Sequence, residues 1–128
     1  GYQAAVLSKV ARRVYTVERH APLLAQAEAR FKYLSLTNIV TRHGDGMKGW
    51  PEQAPFTRIM VTAAAREIPE GLADQLDDGG VMVLPVGDAD HQWVMRVTRD
   101  SHRLHTERLL AVRFVPLLDG VPDHDPDT

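Results

Sequence analysis

The feature that most constrains this chain is its alternation of short β-branched runs with segments of helical period. Val14-Tyr15-Thr16-Val17 is β-branched and aromatic and is bounded by charge, which predicts a strand. Residues 22–34 (PLLAQAEARFKYL) then place Leu24, Ala27, Phe31 and Leu34 at spacings of three and four, an amphipathic helix with Pro22 in its first turn. Asn38–Arg42 (NIVTR) reads as a second strand. Residues 3–11, rich in Ala, Leu and Val, predict a buried helix ahead of this unit. Beyond it come a loop at His43–Gly46 and an irregular or briefly helical connection over 47–55. Phe56–Thr62 is a third, more apolar strand, and a helix over 69–76 is started by Pro69. Asp77–Gly80 predicts a turn. Val81–Val86 (VMVLPV) is a continuous apolar run, as expected of a strand covered on both faces. After a turn at Gly87–Asp90, Gln92–Arg99 alternates like an antiparallel edge hairpin strand, and Leu109–Leu118 is the last strand. Alternating βα units followed by an antiparallel pair imply a three-layer α/β sandwich.

The 128 residues suffice for one modest core. We expect one domain over 1–120 and a disordered acidic tail over 121–128. A net charge of -2 gives no reason to expect nucleic acid or an anionic membrane as a partner. The absence of cysteine removes disulfides and thiolate metal sites, and fits a cytoplasmic setting. No apolar run approaches the roughly 20 residues that span a bilayer. The chain opens Gly1-Tyr2-Gln3 directly into a helical pattern without an initiator Met, so we expect the C-terminal part of a longer chain.

In open parallel sheets, ligands sit outside the carboxyl ends of the strands. After the first strand comes Glu18, after the second Asp45 between Gly44 and Gly46, and after the third Thr62-Ala63-Ala64. Glu18 lies 17 positions after Gly1. An acidic residue about 20 positions past a Gly-rich turn accepts hydrogen bonds from ribose hydroxyls in nucleotide-binding βαβ units, and Gly1 fits the last glycine of such a turn. Glu18 reads equally as a solvated charge at a strand end. Asp45 can accept from an exocyclic amine such as adenine N6, with glycines that let a ring approach, or it is an ordinary Asp-Gly turn. His102 and His105 lie in a predicted turn without a carboxylate partner at ligand spacing, so no metal site is expected. Trp50 and Trp93 read as packing residues.

Several stretches together resemble one family. They are GYQAAVLSK (Gly1–Lys9), VERH (Val17–His20), RHGDGMKGWPEQAPF (Arg42–Phe56), IMVTAAAREIP (Ile59–Pro69), LDDGGVMVLPVG (Leu76–Gly87) and VRFVPL (Val112–Leu117). In order and spacing they look like protein-L-isoaspartate O-methyltransferase of the bacterial type, over roughly residues 1–118. The resemblance implies a Rossmann-like methyltransferase sheet. It also implies methyl transfer from S-adenosyl-L-methionine to the carboxylate of isoaspartyl residues in damaged proteins and peptides, by an enzyme that is monomeric in its full-length form. By the same resemblance Gly1 closes the glycine-rich turn, Glu18 holds the ribose, and Asp45 and Gly46 frame the adenine. Thr62, Ala63 and Ala64 sit near the transferred methyl, and Val115, Pro116 and Leu117 wall the substrate peptide.

The departures are as informative. The family's first strand, its acidic glycine-rich loop for the methionine part of the cofactor, and its Ser-Gln-Pro segment with the catalytic serine all belong before Gly1. No residue here inherits the catalytic role, so a truncated, inactive relative and a small-molecule methyltransferase are the competing readings. Arg66 stands where many relatives have proline. In this sheet type the missing strand is central, between 14–17 and 56–62. Its loss leaves two strands without a partner, and we expect poor folding or weak cofactor binding of the chain alone.

Overall fold

The computed structural model describes residues 1–88 and 90–112, which fall into two compact units, Gly1–Gly46 and the described part of Met47–Leu118. The expected last strand beyond Val112, the residues Val115, Pro116 and Leu117, and the acidic tail lie outside the described residues.

In the first unit, helix α1 (Tyr2–Ser8) leads to strand β1 (Val14–Glu18), helix α2 (Ala21–Tyr33) and strand β2 (Ile39–His43). β1 and β2 pair in parallel, from Val14 opposite Ile39 to Glu18 opposite His43. α2 begins where expected, with Pro22 in its first turn, where a missing N–H costs nothing. Its i, i+3, i+7 residues Leu24, Ala27 and Phe31 are buried, and Ala27 and Phe31 join Ala4 of α1 and Val14 of β1 in one cluster. α1 lies close against α2: a Cβ on Gly1 would stand 2.8 Å from the Ala27 Cβ. Asn38 fastens the start of β2 to the preceding turn. Its Nδ2 donates to the carbonyls of Ser8 and Ala11 at 2.8 and 3.1 Å, and more weakly to Arg12.

In the second unit, strand β3 (Phe56–Met60), helix α3 (Glu70–Ala73), and strands β4 (Leu76–Gly87), β5 (Gln92–Asp100) and β6 (Arg103–Val112) form a sheet ordered β3-β4-β5-β6. β3 and β4 are parallel, and β4-β5-β6 is an antiparallel meander. The core gathers Leu72 and Ala73 of α3 with Leu76, Met82, Leu84 and Val97. Gln75 is buried beside them and fully used. Its Oε1 accepts from the Trp50 N–H at 2.9 Å, and its Nε2 donates to the Lys48 carbonyl at 2.8 Å.

The expected α/β class with parallel pairs and a C-terminal antiparallel element is what the chain forms, with local differences. Asp77–Gly80 is not a turn between elements but an irregular opening of β4. Leu76 pairs with Phe56 and Val81 with Arg58, so the residues between bulge out of register. β4 is not uniformly covered: Met82 and Leu84 are fully buried while Val81 and Val83 are half-buried. β5 is an internal strand rather than an edge, because β6 starts at Arg103 and pairs with it along its length. His105 accordingly lies in β6, with Nε2 3.7 Å from an Asp100 carboxylate oxygen, and not in a turn.

β1 closes one sheet and β3 the other, each with a single strand neighbour among the described residues.

Candidate functional site

Parallel pairing brings Glu18 and the 44–46 loop to one end of the β1–β2 pair. Glu18 is the last residue of β1 rather than the residue after it, and sits opposite His43, the last residue of β2. Its carbonyl accepts from the Gly44 N–H at 3.0 Å, which ties the two strand ends together. Its side chain is half-buried, and Oε1 accepts from the His20 N–H at 3.1 Å. His43 Nε2 lies 3.0 Å from the Arg19 carbonyl, a second tie across the same end. One Glu18 oxygen thus anchors the strand end, and a carboxylate has lone pairs enough on the two oxygens to take hydroxyl donors as well.

Asp45 follows at the mouth of this end and is half-buried. Gly46 opens a short 3-10 turn (Gly46–Lys48), and a Cβ there would meet no heavy atom within 4 Å. Packing therefore does not require glycine at 46, and the space over it is open to a flat group. Gly1, by contrast, is small because α2 demands it.

In the second unit, Thr62, Ala63 and Ala64 form a distinct excursion at the end of β3. The Val61 N–H donates to Val83 O and the Ala65 N–H to Pro85 O, each at 3.0 Å. The donors are four positions apart and the acceptors two, so the chain loops outward after Val61 before Ala64 and Ala65 return to bridge pairing. Thr62 is exposed, Ala63 half-buried and Ala64 buried. Backbone and small side chains, not titratable groups, face whatever occupies this end of β3.

Beyond Ala65, the same unit carries an open cleft of about 640 Å³ whose lining includes Arg66, Asp88, His91, Trp93, Met95 and Arg108. The sequence reading had Trp93 as a packing residue; it is 38% exposed, with the Arg108 guanidinium 5.2 Å from its ring centroid. Nothing in the sequence marks this cleft, because its residues are scattered along the chain and meet only through strand pairing. Among the described residues, no three His, Asp or Glu side chains gather to hold a metal ion. No helix among them is long and apolar enough to cross a membrane.

Comparison with known proteins adds the following. Residues 1–122 match the family model for protein-L-isoaspartate(D-aspartate) O-methyltransferase (PCMT). A protein-L-isoaspartate O-methyltransferase of Paramagnetospirillum magneticum is 58% identical over 125 residues, covering 96% of this chain and 58% of the relative. That of Rhodospirillum rubrum is 60% identical over 128 residues, covering 98% and 58%. The chain thus spans a little over half the length of these relatives. A solved protein-L-isoaspartate O-methyltransferase superposes with a TM-score of 0.84 at 30% identity, covering 91% of this chain and 38% of that one. A Plasmodium falciparum protein assigned as a beta-aspartate methyltransferase, in complex with S-adenosyl-L-homocysteine, superposes with a TM-score of 0.71 at 26% identity, over 83% and 52%.

Proposed function

The chain belongs to the protein-L-isoaspartate(D-aspartate) O-methyltransferase family, and from that premise we propose that its gene product transfers a methyl group from S-adenosyl-L-methionine to the free carboxylate of isoaspartyl residues in aged proteins. The observation that carries this reading is the joining of Glu18 and the Gly44-Asp45-Gly46 loop at one end of a parallel strand pair, inside a family match that spans residues 1–122.

The donor set fits the adenosine half of the cofactor. Glu18 accepts from the ribose hydroxyls, Asp45 accepts from the adenine amine, and the open space at Gly46 admits the ring. S-Adenosyl-L-methionine, when bound, supplies a sulfonium methyl open to nucleophilic attack. The protein's task is to hold a carboxylate in line with it, so positioning supplies most of the rate enhancement. Thr62, Ala63 and Ala64 are the chain's contribution near that point. Their excursion at the end of β3 sets them beside that point, and the small Ala side chains leave room for the substrate's backbone. Val115, Pro116 and Leu117 wall the peptide on this reading.

The test is methyl transfer by the full-length gene product from labelled S-adenosyl-L-methionine to an isoaspartyl peptide, beside the same peptide with ordinary aspartate. Incorporation into the isoaspartyl peptide alone supports the proposal. Equal labelling of both, or of neither, refutes it.

A further inference from the structure

The cleft beyond Ala65 uses none of the residues given roles above. Arg66 follows Ala65, which is bridged to Val86: the Ala65 N–H donates to Pro85 O at 3.0 Å, and the Gly87 N–H donates to Ala65 O at 2.8 Å. Arg108 comes from β6, opposite Met95 of β5, and lies over the Trp93 ring. A guanidinium over an indole face still has N–H groups with which to grip a carboxylate. Asp88, the one acid among the lining residues, is turned toward its own loop through Oδ1, while its charge also acts on His91 and Arg66. Its Oδ1 accepts from the Asp90 and His91 N–H groups at 2.9 and 2.8 Å. Neither Arg66 nor Arg108 donates a hydrogen bond to a protein acceptor among the described residues. Two fixed cations and one anion leave the cleft with a net charge of +1 when His91 is neutral. The volume is that of a ligand site, yet the cleft is open, suiting an extended segment of chain better than a small molecule enclosed on all sides.

We propose that this cleft binds acidic residues of the substrate polypeptide flanking the modified position, with the Arg66 and Arg108 guanidiniums as carboxylate donors and the Trp93 ring as an apolar floor. The inference rests on the reading above that the methyl acceptor is a polypeptide. It makes the cleft a specificity element that selects among damaged sites by the charge of their neighbours.

The test titrates the full-length gene product, labelled with nitrogen-15 and free of methyl donor, with short isoaspartyl peptides that differ only in carrying Glu or Lys on both sides of the isoaspartyl residue. The reporter is the indole N–H resonance of Trp93, identified by its loss in Trp93→Phe. Exposed ion pairs contribute roughly two- to fivefold each, so the Glu peptide should bind about tenfold more tightly than the Lys peptide and shift the Trp93 signal. In Arg66→Gln/Arg108→Gln the preference should fall below about twofold. Equal binding of the two peptides, a stationary Trp93 signal, or a preference that survives the double variant overturns the proposal. The same titrations with ordinary aspartyl peptides separate it from the methyl-transfer reading. If the full-length product methylates neither isomer but the charge preference persists and depends on the two arginines, the cleft stands and the catalytic reading falls.

Discussion

Replacing Gly87 with alanine should break the β4–β5 junction on which the second unit is built. Gly87 is the last residue of β4, pairs with Gln92, and has a φ of 143°, a region that L side chains rarely enter. An added Cβ would lie 2.9 Å from the Gln92 Cα and nearer still to the His91 carbonyl oxygen. Both neighbours are backbone, so no side chain can swing aside. The conformational strain alone is about 1–3 kcal/mol. Relieving the clash by opening the turn weakens the Gly87 N–H bond to Ala65 and the terminal pair with Gln92, each net bond contributing about 1 kcal/mol. We therefore expect Gly87→Ala to destabilise the second unit by about 3–5 kcal/mol. Urea unfolding followed by tryptophan fluorescence reads this directly, since Trp50 and Trp93 both lie in that unit. A loss below about 1 kcal/mol would refute the reasoning. Gly46→Ala is the matched control: with open space around position 46, its stability should stay within about 0.5 kcal/mol of the parent while affinity for an adenosine ligand falls.

Three further outcomes are expected. Leu84→Ala removes a fully buried side chain from the cluster of Leu72, Leu76, Met82 and Val97 and should cost about 2–5 kcal/mol in the same urea experiment, whereas Leu109→Ala, 43% exposed, should cost well under half of that. Asn38→Ala strands the Ser8 and Ala11 carbonyls and should cost about 1–3 kcal/mol, seen as faster amide exchange at the start of β2. The Asp88 carboxyl is held below its ordinary 3.8 by the His91 and Asp90 N–H groups, so the order it gives the turn is full above that value and is lost as pH falls through the lower folded value. A carboxyl titration of Asp88 by NMR with a midpoint at or above 3.8 would contradict this.

Much of the fold was legible because its first half is amphipathic at a clear period. The spacing of Leu24, Ala27 and Phe31 placed α2 to within a residue at each end, and the β-branched runs placed β1 and β2 equally well. What escaped had no periodic signal to read. β6 begins at Arg103 yet is exposed along nearly all its length, so no apolar face marks it in RLHTERLL. The Asp77–Gly80 segment carries turn residues, but they serve a bulge inside a strand rather than a break between elements. α3 shrinks from the expected eight residues to Glu70–Ala73, with Asp74 and Gln75 already turning toward β4. For the candidate site, strand-end logic named Glu18 and the 44–46 loop, and the β1–β2 pairing sets them at one end of the strand pair. The cleft of Arg66, Trp93 and Arg108 was illegible because these residues meet only through the β5–β6 pairing and the Ala65–Val86 bridge, which no local pattern announces.

The central claim is that the end of the β1–β2 pair holds the adenosine half of the methyl donor. Calorimetric titration of the chain with adenosine and with S-adenosyl-L-homocysteine tests it most directly, for the parent and for Glu18→Ala. On the reading that these residues hold only the adenosine half, the two ligands should bind within about threefold of one another. Loss of charge-assisted bonds to the ribose should weaken both about tenfold or more in Glu18→Ala. Absence of adenosine binding at millimolar concentration, or affinity indifferent to Glu18, would contradict the account.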